Sequence, residues 1–215
     1  MTKEDQLNVI VDAGVVAVIR TDTAEELVSI CQAMADGGIR GVEITMTSPG
    51  AIEAIYEASR VLKNRAIIGA GSVLDPETAR AAMLAGADFI VGPVVNLDVI
   101  RMCKRYGRIV IPGAFTPTEI LRAWEAGADI VKVFPATRLG PSFMKDVLGP
   151  LPQVKLTPTG GVTLDNLGEF LRAGAAFVGV GTALVNKRLV AEGSWAELTR
   201  IAEQYVEAAR AARAC

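Results

Sequence analysis

The stretch Ala126-Gly127-Ala128-Asp129-Ile130-Val131-Lys132-Val133-Phe134-Pro135-Ala136 joins the end of one helical pattern to a short β-branched run. Ala-Gly-Ala recurs at residues 85–87 and 173–175, each time after an Ala-, Leu-, Glu- and Arg-bearing helical repeat and just before an apolar run. A glycine at such a place reads as a helix C-cap, because it takes the left-handed conformation without a side-chain penalty and turns the chain back. Gly14 and Gly37-Gly38 stand in the same relation to the first two runs. Working outward, the alternation predicts strands over residues 15–20, 41–45, 66–71, 89–93, 109–114, 130–136, 155–160 and 177–184. These runs are nearly continuous in hydrophobicity, the pattern of parallel strands covered by helices on both sides. Helix starts are marked by Thr23 with Glu26, by Ser48-Pro49, by Asp75-Pro76 and by Thr116-Pro117. Such units with right-handed crossovers predict an α/β protein, a (β/α)8 (TIM) barrel, with a doubly wound open sheet as the alternative. Residues 3–13 predict an additional N-terminal helix over the bottom of that barrel, and the lack of any linker predicts one domain over residues 1–215.

Hydrophobic residues make up 51% of the chain and charged ones 21%, and no apolar run reaches the length that spans a bilayer. The first residues lack the layout of a signal peptide, so a cytoplasmic location is expected. A net charge of -2 without a Lys/Arg cluster argues against nucleic acid as a partner and, with the absent apolar span, leaves small molecules in place of nucleic acid or membrane. Cys31, Cys103 and Cys215 are too widely spaced for a zinc knuckle or a disulfide framework and are expected to be bystanders. The chain has no histidine, which removes Ser-His-Asp and Cys-His nucleophiles and the commonest transition-metal ligand. The chemistry falls to Lys, Glu, Asp, Tyr or Cys.

Lys132 interrupts an otherwise apolar strand. Alternation puts Ile130, Lys132 and Phe134 on one face and Val131 and Val133 on the other, so the aliphatic face meets the helices and Lys132 points inward. Burial disfavours the charged ammonium and favours the amine that attacks a carbonyl, which makes Lys132 a Schiff-base candidate. The alternative is a strand-end lysine that snorkels to water. Lys3, Lys63, Lys104, Lys145, Lys155 and Lys187 fall in helical or boundary segments, where solvation accounts for them.

Glu43 places a carboxylate in the middle of Gly41-Val42-Glu43-Ile44-Thr45 and is a candidate general acid/base, or else one half of a structural pair with Arg20 or Arg40. Arg20 ends the first strand, where a planar cation can clamp a carboxylate or phosphate, although an exposed loop arginine would sit there equally well. The last two predicted strands end in Thr159-Gly160-Gly161 and Gly179-Val180-Gly181-Thr182. Barrels often hold phosphate on the backbone amides at those two places, with tight loop geometry as the alternative reading.

With Lys132 and Glu43 identified, the chain resembles the family of 2-dehydro-3-deoxy-phosphogluconate (KDPG) and 4-hydroxy-2-oxoglutarate (KHG) aldolases over almost its whole length. Residues 127–140 resemble the family's Schiff-base motif and Gly38-Ile39-Arg40-Gly41-Val42-Glu43-Ile44-Thr45 its acid/base motif. Val18-Ile19-Arg20, Gly69-Ala70-Gly71-Ser72-Val73 and Pro158-Thr159-Gly160-Gly161-Val162 resemble further blocks in the family's order. The resemblance implies a homotrimeric class I lyase of phosphosugar metabolism, acting on a keto acid and a phosphorylated aldehyde. It makes Lys132 the nucleophile and Glu43 the proton shuttle, and the Schiff-base mechanism so implied needs no metal or cofactor. Arg20, Ser72, Pro93, Phe134 and Thr159 would shape the substrate pocket, and Gly160, Gly161, Gly181 and Thr182 would hold phosphate. Thr47 stands where many members carry an arginine for the keto-acid carboxylate, leaving Thr159, Ser72 and backbone amides to take that contact. The implied reaction cleaves KDPG to pyruvate and glyceraldehyde 3-phosphate, or the shorter substrate to pyruvate and glyoxylate. The rival readings are cleavage of the galactonate epimer, an epimerisation, and a non-catalytic assembly scaffold.

Overall fold

The Ala-Gly-Ala segments turn helices back into strands in the computed structural model, which describes residues 1–214, so that Cys215 lies outside the described residues. Gly86, Gly127 and Gly174 have φ of +110°, +97° and +101°, a region that side-chain-bearing residues rarely enter. At the second of these, the Gly127 N–H donates to the Trp124 carbonyl at 2.9 Å and the Ala128 N–H to the Ala123 carbonyl at 3.1 Å, satisfying the last turn of the helix. The elements so joined are α1 (Lys3–Ala13), β1 (Val15–Ile19), α2 (Leu27–Asp36), β2 (Gly41–Thr45), α3 (Ala51–Val61), β3 (Ile67–Gly71), α4 (Pro76–Leu84) and β4 (Phe89–Val91). They continue with α5 (Leu97–Arg105), β5 (Ile109–Ile111), β6 (Gly113–Ala114), α6 (Pro117–Glu125), β7 (Val131–Val133), α7 (Gly140–Leu148) and β8 (Leu156–Pro158). The chain closes with α8 (Leu167–Arg172), β9 (Val178–Val180), α9 (Lys187–Ala191) and α10 (Trp195–Ala214).

Helix starts follow the expected chemistry where proline presets the first turn. The Asp75 side chain accepts the Thr78 N–H at 2.6 Å ahead of α4, and Thr116 with Glu119 forms a reciprocal capping box on α6. Thr23 and Glu26 depart from expectation: their side chains bond to each other, and α2 begins only at Leu27 without a side-chain cap. Ser48 likewise precedes α3 by a short turn, and its hydroxyl accepts the Thr21 N–H instead.

Every ladder is parallel. Six strands form an open half-barrel in the order β5-β4-β3-β2-β1-β9, and three more form a sheet in the order β6-β7-β8. The single strand expected over residues 109–114 is divided at Pro112, which has no N–H for the ladder but accepts the Lys132 N–H on its carbonyl at 2.9 Å. On the other side β8 meets β9 only through the isolated bridges Leu156↔Ala175 and Thr159↔Gly179. Expected strand ends such as Phe134 to Ala136 lie beyond the ladder and enter a 3-10 turn at Ala136–Arg138.

Two apolar clusters divide the strand faces. Val42, Ile44, Val131 and Val133 face the helices in the larger one, together with buried residues of α2, α8 and α10. The smaller one gathers Val16, Phe89, Ile109, Ile130 and Phe177 from the opposite faces, with Ile10 of α1 among them, so the expected extra helix does cover one end of the strands. A Cβ on Gly69 would overlap the Phe89 ring, which shows how closely strand and ring approach. The Cys31 and Cys103 thiols are buried, and burial pushes each up to about 12, too high for a thiolate at neutral pH. Among the described residues, no helix is long and apolar enough to cross a membrane.

Phe89 is fully buried at the centre of the inner cluster. Phe89→Ala should therefore lower stability in urea by about 3–5 kcal/mol, the usual cost of emptying a core ring site.

Candidate active site

Lys132 lies in β7 with Gly113 of β6 and Thr157 of β8 as its register partners, and it is 6% exposed. Ile130 belongs to the inner cluster while Val131 and Val133 face the helices, so the lysine points to the inner side as alternation requires. Its Nζ lies 4.8 Å from the centroid of the Phe134 ring, a cation-π contact. Among the described residues Lys132 takes part in no ion pair. Lys155, the rival lysine, is exposed at the entry to β8.

Glu43 is 3% exposed in β2, opposite Gly69 of β3 and Val18 of β1. Residue 71 on the neighbouring strand is glycine, and a Cβ there would overlap the carboxylate in its present position. Desolvation raises the Glu43 carboxyl above the ordinary range, opposed by the positive charges of Lys132 and then Arg20. Neither structural pair considered from the sequence is made. Arg40 donates to the Arg65 carbonyl at 2.7 Å, and among the described residues Glu43 joins no ion pair. Glu43 and Lys132 instead border one narrow cavity of about 10 Å³, with Val91, Thr157 and Thr159 on its wall.

Thr159 also borders a larger pocket of about 270 Å³, shared with Arg20, Gly160, Gly161, Gly181 and Thr182. Gly160 and Gly161 have φ of +92° and +75°, and a Cβ on Gly161 would overlap Thr137, so both the backbone twist and the close approach call for glycine. Arg20 is exposed on the rim of this pocket.

The two cavities bring together Lys132, Glu43, Arg20, Thr159 and the glycine turns with Thr182, but neither is lined by Thr47, Ser72, Pro93 or Phe134. Phe134 reaches Lys132 through its ring. Ser72 follows Gly71 with φ of +57°, an uncommon conformation for serine, and Pro93 follows β4 with its backbone against Gly113. Thr47 is exposed, its hydroxyl 3.1 Å from that of Thr45. Sequence reasoning passed over Thr157, which lines the lysine cavity while its hydroxyl donates to the Phe177 carbonyl at 2.8 Å. The alternation of Lys155, Thr157 and Thr159 was the available signal. Lys187, read as a solvated lysine, is on the wall of the glycine-lined pocket.

The raised Glu43 carboxyl has a definite sign in stability. On raising the pH, the unfolded chain releases this proton before the folded protein does, so the folded state is progressively disfavoured above the ordinary carboxylate range. Glu43→Gln removes that loss. The stability of the variant relative to the parent, measured in urea, should rise as the pH climbs above the ordinary carboxylate range; a flat or falling difference would contradict a carboxyl raised by burial.

Residues 7–201 match the model of an aldolase family described as KDPG and KHG aldolase. A 2-dehydro-3-deoxy-phosphogluconate aldolase of Treponema pallidum is 36% identical over 194 residues, covering 90% of this chain and 92% of that protein. A 2-dehydro-3-deoxy-6-phosphogalactonate aldolase of Escherichia coli is 34% identical over 194 residues, covering 90% of this chain and 95% of its own. The structure of a KDPG aldolase from Legionella pneumophila, with pyruvate captured as a covalent carbinolamine, superposes with a TM-score of 0.85 at 28% identity, covering 92% of this chain and 96% of that one. The inward lysine, the buried glutamate and the glycine turns thus occur within a match that spans nearly the whole sequence, and the chain belongs to the KDPG and KHG aldolase family.

Proposed function

We propose that this protein is a class I aldolase that cleaves KDPG to pyruvate and glyceraldehyde 3-phosphate, and KHG to pyruvate and glyoxylate. The observation that carries the reading is the shared cavity of Lys132 and Glu43, with Thr159 on its wall and also on the wall of a glycine-lined pocket. The inner cavity is close to the size of a single water. The larger, glycine-lined space of about 270 Å³ is the one with room for the phosphorylated end of a substrate.

Chemistry follows from those positions. The Lys132 amine attacks C2 of the keto acid, forming a C–N bond and a carbinolamine; loss of water gives the protonated imine. Glu43 delivers and receives the protons of these steps, a task suited to a carboxyl poised above its ordinary range by burial. Its carboxylate form then takes the proton of the C4 hydroxyl. The C3–C4 bond breaks, its electron pair moves into the imine to form the enamine, and the aldehyde departs. Protonation at C3 and hydrolysis of the imine release pyruvate and restore the amine. Backbone amides of Gly160, Gly161 and Gly181, with Thr182 and Arg20, hold the phosphate. Ser72, Pro93, Phe134 and Thr159 shape the space around the keto acid, with Thr47 at its outer edge.

The same reading includes a closed (β/α)8 barrel. The division at Pro112 lies within one continuous chain segment, and the isolated bridges between β8 and β9 lie where the ring would close. It includes a single domain over residues 1–215, a cytoplasmic location and a homotrimer. The exposed side chains of Tyr56 and Leu84, grouped with Ile52 and Ala81 over a shallow depression, support an interface between chains. Relatives named for the galactonate substrate favour that epimer as a second reading, which a steady-state comparison of the two epimers decides.

Intact mass after pyruvate and sodium borohydride should show a covalent adduct on the parent and none on Lys132→Ala; an unmodified parent would remove both the lysine mechanism and the aldolase reading. Gly71→Ala, which displaces the Glu43 carboxylate without touching the lysine, should lower kcat for aldol cleavage by roughly 10²-fold, the scale of a misplaced catalytic group.

A further inference from the structure

Lys187 occupies a position that the aldolase reading leaves without a task. It begins α9 and lines the glycine-lined pocket, and it also lines a neighbouring cavity of about 190 Å³ with Asp22, Thr23 and Glu26. Arg20, Val185 and Lys187 belong to both cavities, so the two adjoin along that edge. Across it the Lys187 Nζ donates to Asp22 Oδ2 at 2.8 Å, tying the loop after β1 to the start of α9.

This tie is weak by construction. The two side chains are 69% and 79% exposed, and an ion pair so open to water contributes little and exchanges readily. A phosphate monoester near neutral pH carries a charge of about -1.5 to -2 and three acceptor oxygens, a stronger attraction for an ammonium than one solvated carboxylate. The glycine amides and the Thr182 hydroxyl are neutral donors, and Arg20 and Lys187 are the cations on the pocket wall. A lysine is a point charge on a flexible stem, able to change partner by rotamer without moving the backbone.

We propose that Lys187 is a phosphate ligand of this site, held at its mouth by Asp22 and transferred to the phosphate when a phosphorylated substrate enters. It is thus a specificity-determining residue that favours phosphorylated over unphosphorylated keto acids. The identity of that substrate rests on the aldolase reading, but phosphate recognition by Lys187 is testable without it.

The experiment is calorimetric titration with sn-glycerol 3-phosphate, which has a phosphate and no keto group, of the parent, Lys187→Met and Asp22→Asn. Lys187→Met should weaken binding about tenfold, and Asp22→Asn, which frees the ammonium, should tighten it about two- to threefold. Equal affinity in the parent and Lys187→Met, or weaker binding by Asp22→Asn, would overturn the proposal. A parent that binds no glycerol 3-phosphate would do the same. The two readings separate cleanly. A parent that captures pyruvate on Lys132 but is indifferent to Lys187→Met loses this inference alone; one that binds glycerol 3-phosphate through Lys187 but captures no pyruvate keeps it and loses the aldolase.

Discussion

Two ionisable side chains, an amine and a carboxyl, are buried on the inner faces of the strands, and much of the surrounding structure follows from the need to house them. Lys132 and Glu43 are almost wholly removed from water, yet they form no ion pair with each other or with a nearby arginine. A direct pair would satisfy both charges and leave neither free to react. Bordering one narrow cavity, they are close enough for the field of the Lys132 charge to act on the Glu43 carboxyl. Desolvation outweighs that field at Glu43, which is why the carboxyl moves up in spite of two cations nearby.

Space for this arrangement is made by what the neighbours lack. Gly71 has no side chain where the Glu43 carboxylate lies, and Gly69 none where the Phe89 ring lies. One absence leaves room for the buried carboxylate and the other for the ring packed beneath it. The same strands therefore present an apolar layer at one level and a polar one above it, with α1 closing the lower end through Ile10.

Much of this was legible in the sequence because the signals were local. Lysine in a run of valines is visible without knowing any contact, and alternation gave its side correctly. The Ala-Gly-Ala caps and the Asp75-Pro76 and Thr116-Pro117 starts rest on backbone chemistry within one turn. Thr23 and Glu26 had the spacing of a capping box, but the pair bonded side chain to side chain and the helix began later. The division at Pro112 was overlooked because an apolar run on both sides outweighed one missing N–H. Thr47, Ser72 and Pro93 came from resemblance, and the two cavities do not include them. Lys187 was invisible because its neighbour Asp22 lies on the far side of the chain in sequence, and only the fold brings the two together.

The helix under the strands has a kinetic meaning as well as a structural one. Ile10 packs into the lower end of the strands, and under the proposed reaction substrate and products then pass through a mouth at the opposite end. On the proposed chemistry the fragment nearer that mouth is the aldehyde, and the pyruvyl fragment is the one tethered at the blind end. Departure is then sequential by architecture: the outer fragment clears the passage before the inner one can leave, and an aldehyde that lingers blocks turnover from in front.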